Sequence, residues 1–232
     1  MRSSAKENLL AKVVRLADML DLKQIVPPRG LVAIKLHFGE KGNTAYIRPP
    51  FVRQIVDRVR ALGALPFLTD ANTLYVGTRA DSVSHLHTAV ENGFSFSVVN
   101  APLIIADGLR GGSYAAVKIQ QEVVRTAYVG KEIAEADGLI SLAHFKGHEL
   151  SGFGGTIKNL GMGCASRRGK MVQHADVSPK ITRKKCVGCG ECVEHCAQSA
   201  IALREEKAVI DSKKCIGCGE CILICSNKAI DV

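Results

Sequence analysis

Residues 184–201 read KKCVGCGECVEHCAQSAI, and residues 213–230 repeat the pattern as KKCIGCGECILICSNKAI. Each copy has the spacing C-x2-C-x2-C-x3-C, and the two copies agree at Lys-Lys-Cys, at Gly-Cys-Gly-Glu-Cys and at Ala-Ile. An internal repeat of this kind predicts two similar structural units. Eight of the nine cysteines lie in the repeat, and Cys164 stands outside it.

The cysteine spacing predicts two [4Fe–4S] clusters. A tetrahedral zinc site usually takes its ligands as pairs that stand farther apart, whereas three closely spaced thiolates suit the corners of an iron–sulfur cube. In chains with two such runs, the fourth cysteine of each run ligates the other cluster. The expected ligand sets are therefore Cys186, Cys189, Cys192 and Cys225 for one cluster, and Cys215, Cys218, Cys221 and Cys196 for the other. Two zinc ions or four disulfides are the alternatives.

Residues 181–232 resemble bacterial two-cluster ferredoxins. The resemblance implies a small α+β domain that carries electrons. Those ferredoxins usually have proline after the fourth cysteine, whereas Ala197 and Ser226 stand here. Because that proline supplies no ligand, we expect altered local rigidity and intact clusters. Thiolate ligation needs reduced cysteines, which favours the cytoplasm, and oxygen-sensitive clusters suit an anaerobic host.

The larger part of the chain, residues 1–180, alternates helical and strand patterns. Predicted helices cover residues 3–22, 50–63, 81–93 and 129–138, with Ser3 or Ser4 as the first N-cap, and predicted strands cover residues 31–38, 64–70, 94–100 and 138–145. Alternation of this kind indicates an α/β fold with a layered, mainly parallel sheet. The predicted organisation is thus an α/β domain (1–180) followed by a two-cluster ferredoxin-like domain (181–232).

Polar residues follow the predicted strands, at the edge where ligands bind in parallel sheets. Lys35 and His37 end the first strand, Asp70 and Asn72 follow the second, and residues 144–148 (HFKGH) follow the last. This last segment opens a longer basic, glycine-rich stretch, HFKGHELSGFGGTIKNLGMGCASRRGKMVQH. For any single residue of this stretch, the alternative is a glycine-rich turn with solvated basic side chains. The stretch as a whole predicts a binding site.

We assign two sets of candidate residues to this site. The predicted catalytic residues are His148, Lys158, His174, His144, Lys35 and His37. Gly154, Gly155 and Thr156 precede a short helical segment whose free amides are expected to bind an anion. The predicted cofactor-binding residues are Gly154, Gly155, Thr156 and Asn159, and the organic cofactor is not identified.

Two family resemblances add to this interpretation. The strand with Lys-x-His, the Asp at the next strand end and the segment KGHELSGFGGTIKNLGMGC resemble the domain-of-unknown-function family 362, over most of residues 25–180. That resemblance implies an iron–sulfur protein of undefined substrate. A fainter similarity links His148, Lys158 and His174 to the nickel-pincer lactate racemase group, in which a Gly-Gly-x-Lys segment and flanking histidines bind the cofactor. The segment here is one residue longer, so the similarity supports these site residues without establishing nickel.

Three other positions have simpler interpretations. Arg79 is expected to be a solvated arginine; an anion site formed by Thr78 and Arg79 is the alternative. His85 and His87 stand two apart on a predicted helix and therefore point in different directions, so one of them is expected at the surface. Cys164 is expected to be a small buried apolar residue; a redox thiol or an extra ligand is the alternative.

The charge distribution narrows the class of function. The chain carries a formal charge of +9, and residues 1–180 hold 23 Lys and Arg against 15 Asp and Glu. No nucleic-acid reading motif accompanies this charge, and no apolar run is long enough to span a membrane. We therefore expect no nucleic-acid partner and no membrane insertion. A small anionic ligand or an acidic redox partner protein suits the basic domain better.

Three functions remain open. The first is an iron–sulfur oxidoreductase that passes electrons through two clusters to a ligand in the α/β domain. The second is a ferredoxin-type carrier that docks a partner enzyme. The third is a non-redox, nickel-pincer-like enzyme with structural clusters. The sequence does not fix the oligomeric state, and a homodimer is one option.

Overall fold

The computed structural model describes residues 4, 7–148, 151–174, 179–217 and 219–231. Their helices are α1 (Leu9–Asp18), α2 (Pro49–Ala61), α3 (Ser82–Glu91), α4 (Phe96–Val99), α5 (Lys131–Ala134), α6 (Thr156–Gly161), α7 (Arg167–His174), α8 (Glu191–Glu194) and α9 (Glu220–Ile224). Their strands are β1 (Leu31–Leu36), β2 (Leu65–Asp70), β3 (Leu103–Ile105), β4 (Tyr114–Lys118), β5 (Thr126–Gly130), β6 (Gly138–Leu142), β7 (Lys146–His148), β8 (Gly152–Gly154), β9 (Lys180–Ile181), β10 (Ile201–Arg204), β11 (Lys207–Ile210) and β12 (Ile230–Asp231).

Four parallel strands form the main sheet, in the order β3-β2-β1-β6. Lys35 of β1 lies in register with Thr69 of β2 and with Ser141 of β6. All residues of β1 and β2 after the first are buried, as expected for strands covered on both faces. The predicted α/β fold with a mainly parallel sheet is therefore confirmed.

Helix α2 supplies much of the apolar surface that packs on this sheet. Val52, Ile55, Val56 and Val59 are buried and follow the i, i+3, i+4, i+7 spacing of one helix face. Pro49 stands in the first turn, where its fixed φ suits the start of a helix. Burial of each such side chain contributes roughly 1.5–3 kcal/mol, so this face holds the helix against the strands.

The strand order creates a switch point between β1 and β6. From β1 the chain adds β2 and β3 on one side, and it later returns to add β6 on the other side of β1. Connections that leave two neighbouring strands in opposite directions open a crevice at their carboxyl ends. The segments that follow β1 and β6 start at this crevice.

Two predicted elements differ from the structure. Residues 94–100 do not form a strand, because Phe96–Val99 makes one helical turn that Asn100 ends with a φ of 58°. Phe96 is 58% exposed, so its alternation with serine does not line a core. The first helix begins at Leu9 with Asn8 as its N-cap, whose side chain accepts a hydrogen bond from the Ala11 amide; the expectation of Ser3 or Ser4 was wrong. The helix expected over 129–138 is only the turn α5.

The cysteine repeat forms a small α+β unit. Strands β10 and β11 form an antiparallel hairpin between the two copies, and β9 pairs antiparallel with β12. Each cysteine group leads into a short helix, α8 or α9. Ile201, Ala229 and Ile230 pack with buried cysteines in its core. The predicted small α+β domain is therefore confirmed. Within the described ranges, no helix combines the length and the apolar character that crossing a membrane requires.

Candidate functional site

Four cysteines line one cavity in the small domain. Cys186, Cys189 and Cys192 come from the first copy of the repeat, and Cys225 comes from the second. Gly190, between two of these cysteines, has a φ of 86°, a left-handed conformation that suits glycine and curls the chain around the cavity. The structure thus brings together the four residues predicted as one crossed ligand set.

The second predicted ligand set is described in part. Cys196 and Cys215 are half-buried and Cys221 is buried. Cys218 lies outside the described residues.

Backbone amides donate hydrogen bonds to three of the sulfurs. The N–H of Ala208 lies 3.5 Å from Cys186 Sγ. The N–H groups of Ala200 and Ala229 each lie 3.2 Å from the sulfur four residues earlier, in Cys196 and Cys225. Such donors favour the thiolate and tune cluster potentials. The hydrogen bond from Ala208 is the main reason that the pKa of Cys186 is lowered.

The charges of the first cysteine set suit a cationic iron core. Burial raises the pKa of the Cys192 thiol, and the charges of Cys186, Cys189 and Cys225 raise it further. Thiolates this close repel one another unless cations lie among them. The described cysteines are free thiols, and among the described residues no three His, Cys, Asp or Glu side chains converge on a single metal ion. Thiolates that each bind a different iron need not converge.

At the carboxyl edge of the sheet, Lys35 is enclosed by acceptors. Its side chain is 1% exposed, and its Nζ lies 3.0 Å from Asp70 Oδ1. The same Nζ lies 2.8 Å from Asn159 Oδ1 and 3.4 Å from the Leu36 carbonyl. An ammonium has three protons to donate, and each has an acceptor here. Lys35 therefore positions the residues of this edge, and its predicted catalytic role stays a prediction.

Asn159 ties helix α6 across the switch point. Its Nδ2 donates to the carbonyl of Lys35 at 3.2 Å and to Ser141 Oγ at 2.9 Å. The Leu142 carbonyl accepts from it at 3.4 Å. Both amide atoms of Asn159 are thus engaged by β1 and β6. Its predicted role in cofactor binding remains a prediction.

Arg79 is buried, so the expectation of a solvated side chain was wrong. It is 4% exposed, with Nη1 3.2 Å from Asp70 Oδ2 and Nε 3.0 Å from Glu40 Oε1. Its Nη2 also contacts Glu40 and the Tyr75 hydroxyl. Burial alone would lower the pKa of Arg79, but Tyr75, Glu40 and Asp70 raise it. The loop after β2 therefore folds back because two carboxylates compensate the buried charge.

His37 is a neutral imidazole at this edge. Burial and the charge of Arg79 lower its pKa to about 3. The Gly39 amide donates to His37 Nδ1 at 2.8 Å, so the ring proton of the neutral form lies on Nε2. That Nε2 is 3.8 Å from Glu40 Oε1. Lys146 is also close enough to lower the pKa of His37.

Three predicted catalytic residues meet beside this edge. The pKa of His174 is lowered by burial and then by the charges of Lys158 and His148. Burial also lowers the pKa of Lys158, with Lys146 as the second cause. His148 Nδ1 accepts from the Ser151 amide at 3.2 Å. The structure therefore brings His148, Lys158 and His174 together, and it adds Lys146, a residue of the same basic stretch that was not among the predicted catalytic residues.

The remaining predicted residues lie around this group. His144 and Thr156 are exposed, Gly154 is buried and Gly155 is half-buried. Helix α6, which begins at Thr156, has six residues, and anion binding by its free amides stays a prediction.

Two buried residues near the sheet edge were not among the predicted site residues, although Lys170 belongs to the basic stretch. Asp107 accepts hydrogen bonds from Asn72 Nδ2 at 3.0 Å and from the Asn72 amide at 2.9 Å. Burial lowers the pKa of Lys170 to about 8, with Asp107 opposing the shift. Asp107 follows β3 much as Asp70 ends β2, and this position was the available signal. Cys164 is buried, as predicted, and its pKa is raised by burial. His85 is buried and His87 is exposed, also as predicted.

The small domain approaches the sheet edge at Glu220, which precedes Cys221. Burial raises the pKa of Glu220, His195 lowers it, and the charge of Glu40 raises it. Glu40 in turn binds Arg79. Glu220 is therefore near enough to Glu40 for the charge of Glu40 to raise its pKa.

Fold and cysteines together define an iron–sulfur protein, capable of electron transfer, with an α/β domain before its ferredoxin-like part. A family model described as a 4Fe-4S binding domain matches residues 208–231. A second model, described as a domain of unknown function (DUF362), matches residues 32–216. Because this match covers most of the chain, the chain belongs to the DUF362 family. No curated protein matches it.

Proposed function

We propose that this protein is a cytoplasmic oxidoreductase that passes electrons through two [4Fe–4S] clusters to a small ligand at the carboxyl edge of the α/β sheet. Residues 181–232 act as the electron relay, and residues 1–180 hold the ligand. The proposed ligand sets are Cys186, Cys189, Cys192 and Cys225 for one cluster, and Cys215, Cys218, Cys221 and Cys196 for the other.

The cavity lined by Cys186, Cys189, Cys192 and Cys225 carries this proposal, and the effect of Glu40 on Glu220 supports it. Glu220 stands beside Cys221, and Glu40 belongs to the network of Arg79 and Asp70 at the sheet edge. Electrons that reach the second cluster are therefore near the residues that face a ligand.

The chain's own residues supply the proton chemistry. When bound, the clusters would supply electrons one at a time. A one-electron donor protein would then reduce the clusters again. Reduction of an organic ligand also takes up protons. His148 and His174 can each hold a proton and release it to the ligand, then regain one from solvent. Lys158 beside them binds negative charge on the ligand.

A reoxidation assay tests the proposal. Anaerobically reduced full-length protein, freed of reductant, is mixed with a pool of small carboxylate and phosphate metabolites, and cluster reoxidation is followed by absorbance. Wild type should be reoxidised faster than His148→Ala, while the exposed control His87→Ala should match wild type. Iron content must be equal in all three. Equal reoxidation of wild type and His148→Ala would overturn the proposal, and nickel in addition to iron would favour the non-redox alternative.

An exposed apolar patch favours the carrier function as the second candidate. Phe145 and Phe153 are 72% and 61% exposed, with ring centroids 5.5 Å apart. Ile157 nearby is 89% exposed. Large exposed apolar residues on a basic domain suit docking of an acidic redox protein. A Phe145→Ser, Phe153→Ser double variant should then slow electron transfer to an acidic flavodoxin or ferredoxin, and an unchanged rate would contradict this function.

A further inference from the structure

The hairpin of β7 and β8 has two unlike faces. Its register pairs Lys146 with Gly154 and His148 with Gly152. Because side chains alternate along a strand, Lys146 and His148 share one face with these two glycines. Phe153, which pairs with Gly147, lies on the other face. One face is therefore apolar. The other face carries basic side chains along β7 and no side chains along β8.

Two helices close this basic face. A Cβ on Gly154 would lie 3.7 Å from Lys158 Cδ, so the side chain of Lys158 from α6 rests on the bare strand. Lys158 is near Lys146, and His174 of α7 is near both Lys158 and His148. A Cβ on Gly152 would meet no atom within 4 Å. We call this site the cradle. Its base is the glycine positions of β8, which carry no side chains, and its sides are the basic residues of β7, α6 and α7.

The two lysines of this cradle have no salt-bridge partner within the described part of the chain. No salt bridge there includes Lys146 or Lys158. By contrast, Lys35 and Arg79 at the neighbouring edge each pair with a buried carboxylate. Like charges that are half-buried together repel one another, and a bound anion would relieve that repulsion.

We propose that Lys146, His148, Lys158 and His174 form a binding site for the oxyanion group of the ligand, a carboxylate or a phosphate. This inference rests on the proposed function, because it names the chemical class of the ligand that receives the electrons. The site fixes the orientation of that ligand. Lys146 is also near His37, so an anion held here leaves the rest of the ligand on the side of His37.

Calorimetric titration of the oxidised, cluster-loaded full chain tests the inference without electron transfer. Inorganic phosphate and succinate are the two probes, titrated separately at constant ionic strength, and they distinguish the two sources of the oxyanion. At least one should bind at a single saturable site. Lys158→Gln and Lys146→Gln should each weaken that binding about tenfold, the usual value of a charge-assisted hydrogen bond. Lys118→Gln, on exposed β4, is the matched control and should bind as wild type does.

Two outcomes would overturn the inference. One is the absence of saturable binding of both probes to wild type. The other is equal binding by wild type, Lys146→Gln and Lys158→Gln. The proposed function would survive either result if reduced wild type is still reoxidised by a ligand that carries no oxyanion. Conversely, probe binding that these variants weaken supports the cradle even if no ligand reoxidises the clusters.

Discussion

The ammonium of Lys35 lies 3.0 Å from Asp70 Oδ1, with both side chains buried. The two residues come from the carboxyl ends of neighbouring parallel strands, β1 and β2. Asp70 also meets Arg79 at 3.2 Å, and these cations lower the pKa of its carboxyl well below the usual value despite burial. This pair therefore joins the carboxyl ends of β1 and β2 to Arg79, which Glu40 also binds.

Removal of the Asp70 charge should destabilise the fold. In Asp70→Asn, Lys35 and Arg79 lose their shared buried counterion, and breaking a buried pair costs about 3–5 kcal/mol. Urea unfolding followed by circular dichroism under anaerobic conditions measures the loss. Asp57→Asn is the control, because Asp57 pairs with Arg53 at the surface and should cost less than about 1 kcal/mol. Equal unfolding midpoints for the two variants would contradict a central role for the pair.

Gly163 should tolerate no side chain. A Cβ there would lie 2.2 Å from the Asn159 carbonyl oxygen and 2.7 Å from Lys35 Nζ. Gly163→Ala should therefore push α6 away from the switch point and cost about 1–3 kcal/mol, as overpacking does. Gly161→Ala is the matched control, since its Cβ would meet no atom within 4 Å and alanine favours helix. Thermal unfolding compares the two, and equal melting temperatures would contradict this close approach.

Lys170 should make stability depend on alkaline pH. Its folded pKa is about 8, whereas an unfolded lysine titrates near about 10.4. Between these values the unfolded chain binds more protons, so the free energy of unfolding should rise with pH, by on the order of 3 kcal/mol. Urea unfolding across this window should show the rise in wild type and its absence in Lys170→Met. The same pH dependence in both proteins would show that Lys170 is not responsible.

Short sequence patterns predicted the cysteine cavity, the buried strands and the basic site. The cysteine spacing marked the cavity of Cys186, Cys189, Cys192 and Cys225, because the repeat itself carries the crossed arrangement. The apolar runs of β1 and β2 predicted buried parallel strands. The basic, glycine-rich stretch predicted that His148, Lys158 and His174 share a site, since they lie within one short segment.

Contacts between distant segments were not predictable in this way. Arg79 is buried against Glu40, which lies 39 residues earlier in the chain. No periodicity of the sequence predicts such a pair. Asn159 Oδ1 accepts a hydrogen bond from Lys35, which lies 124 residues earlier in the chain. A side chain that was predicted to bind a cofactor is therefore hydrogen-bonded within the protein. Lys146 stands between two predicted residues, but only the hairpin register shows which face it shares with His148.

Iron and labile-sulfide analysis with anaerobic electron paramagnetic resonance tests the two-cluster relay most directly. Wild type should contain about eight irons per chain, and its reduced spectrum should show two interacting clusters. Cys225→Ser should lose the cluster of Cys186, Cys189 and Cys192 and keep the other, while Cys164→Ser should keep both. About four irons in wild type, or loss of the Cys215 cluster in Cys225→Ser, would contradict the crossed ligand sets and the relay built on them.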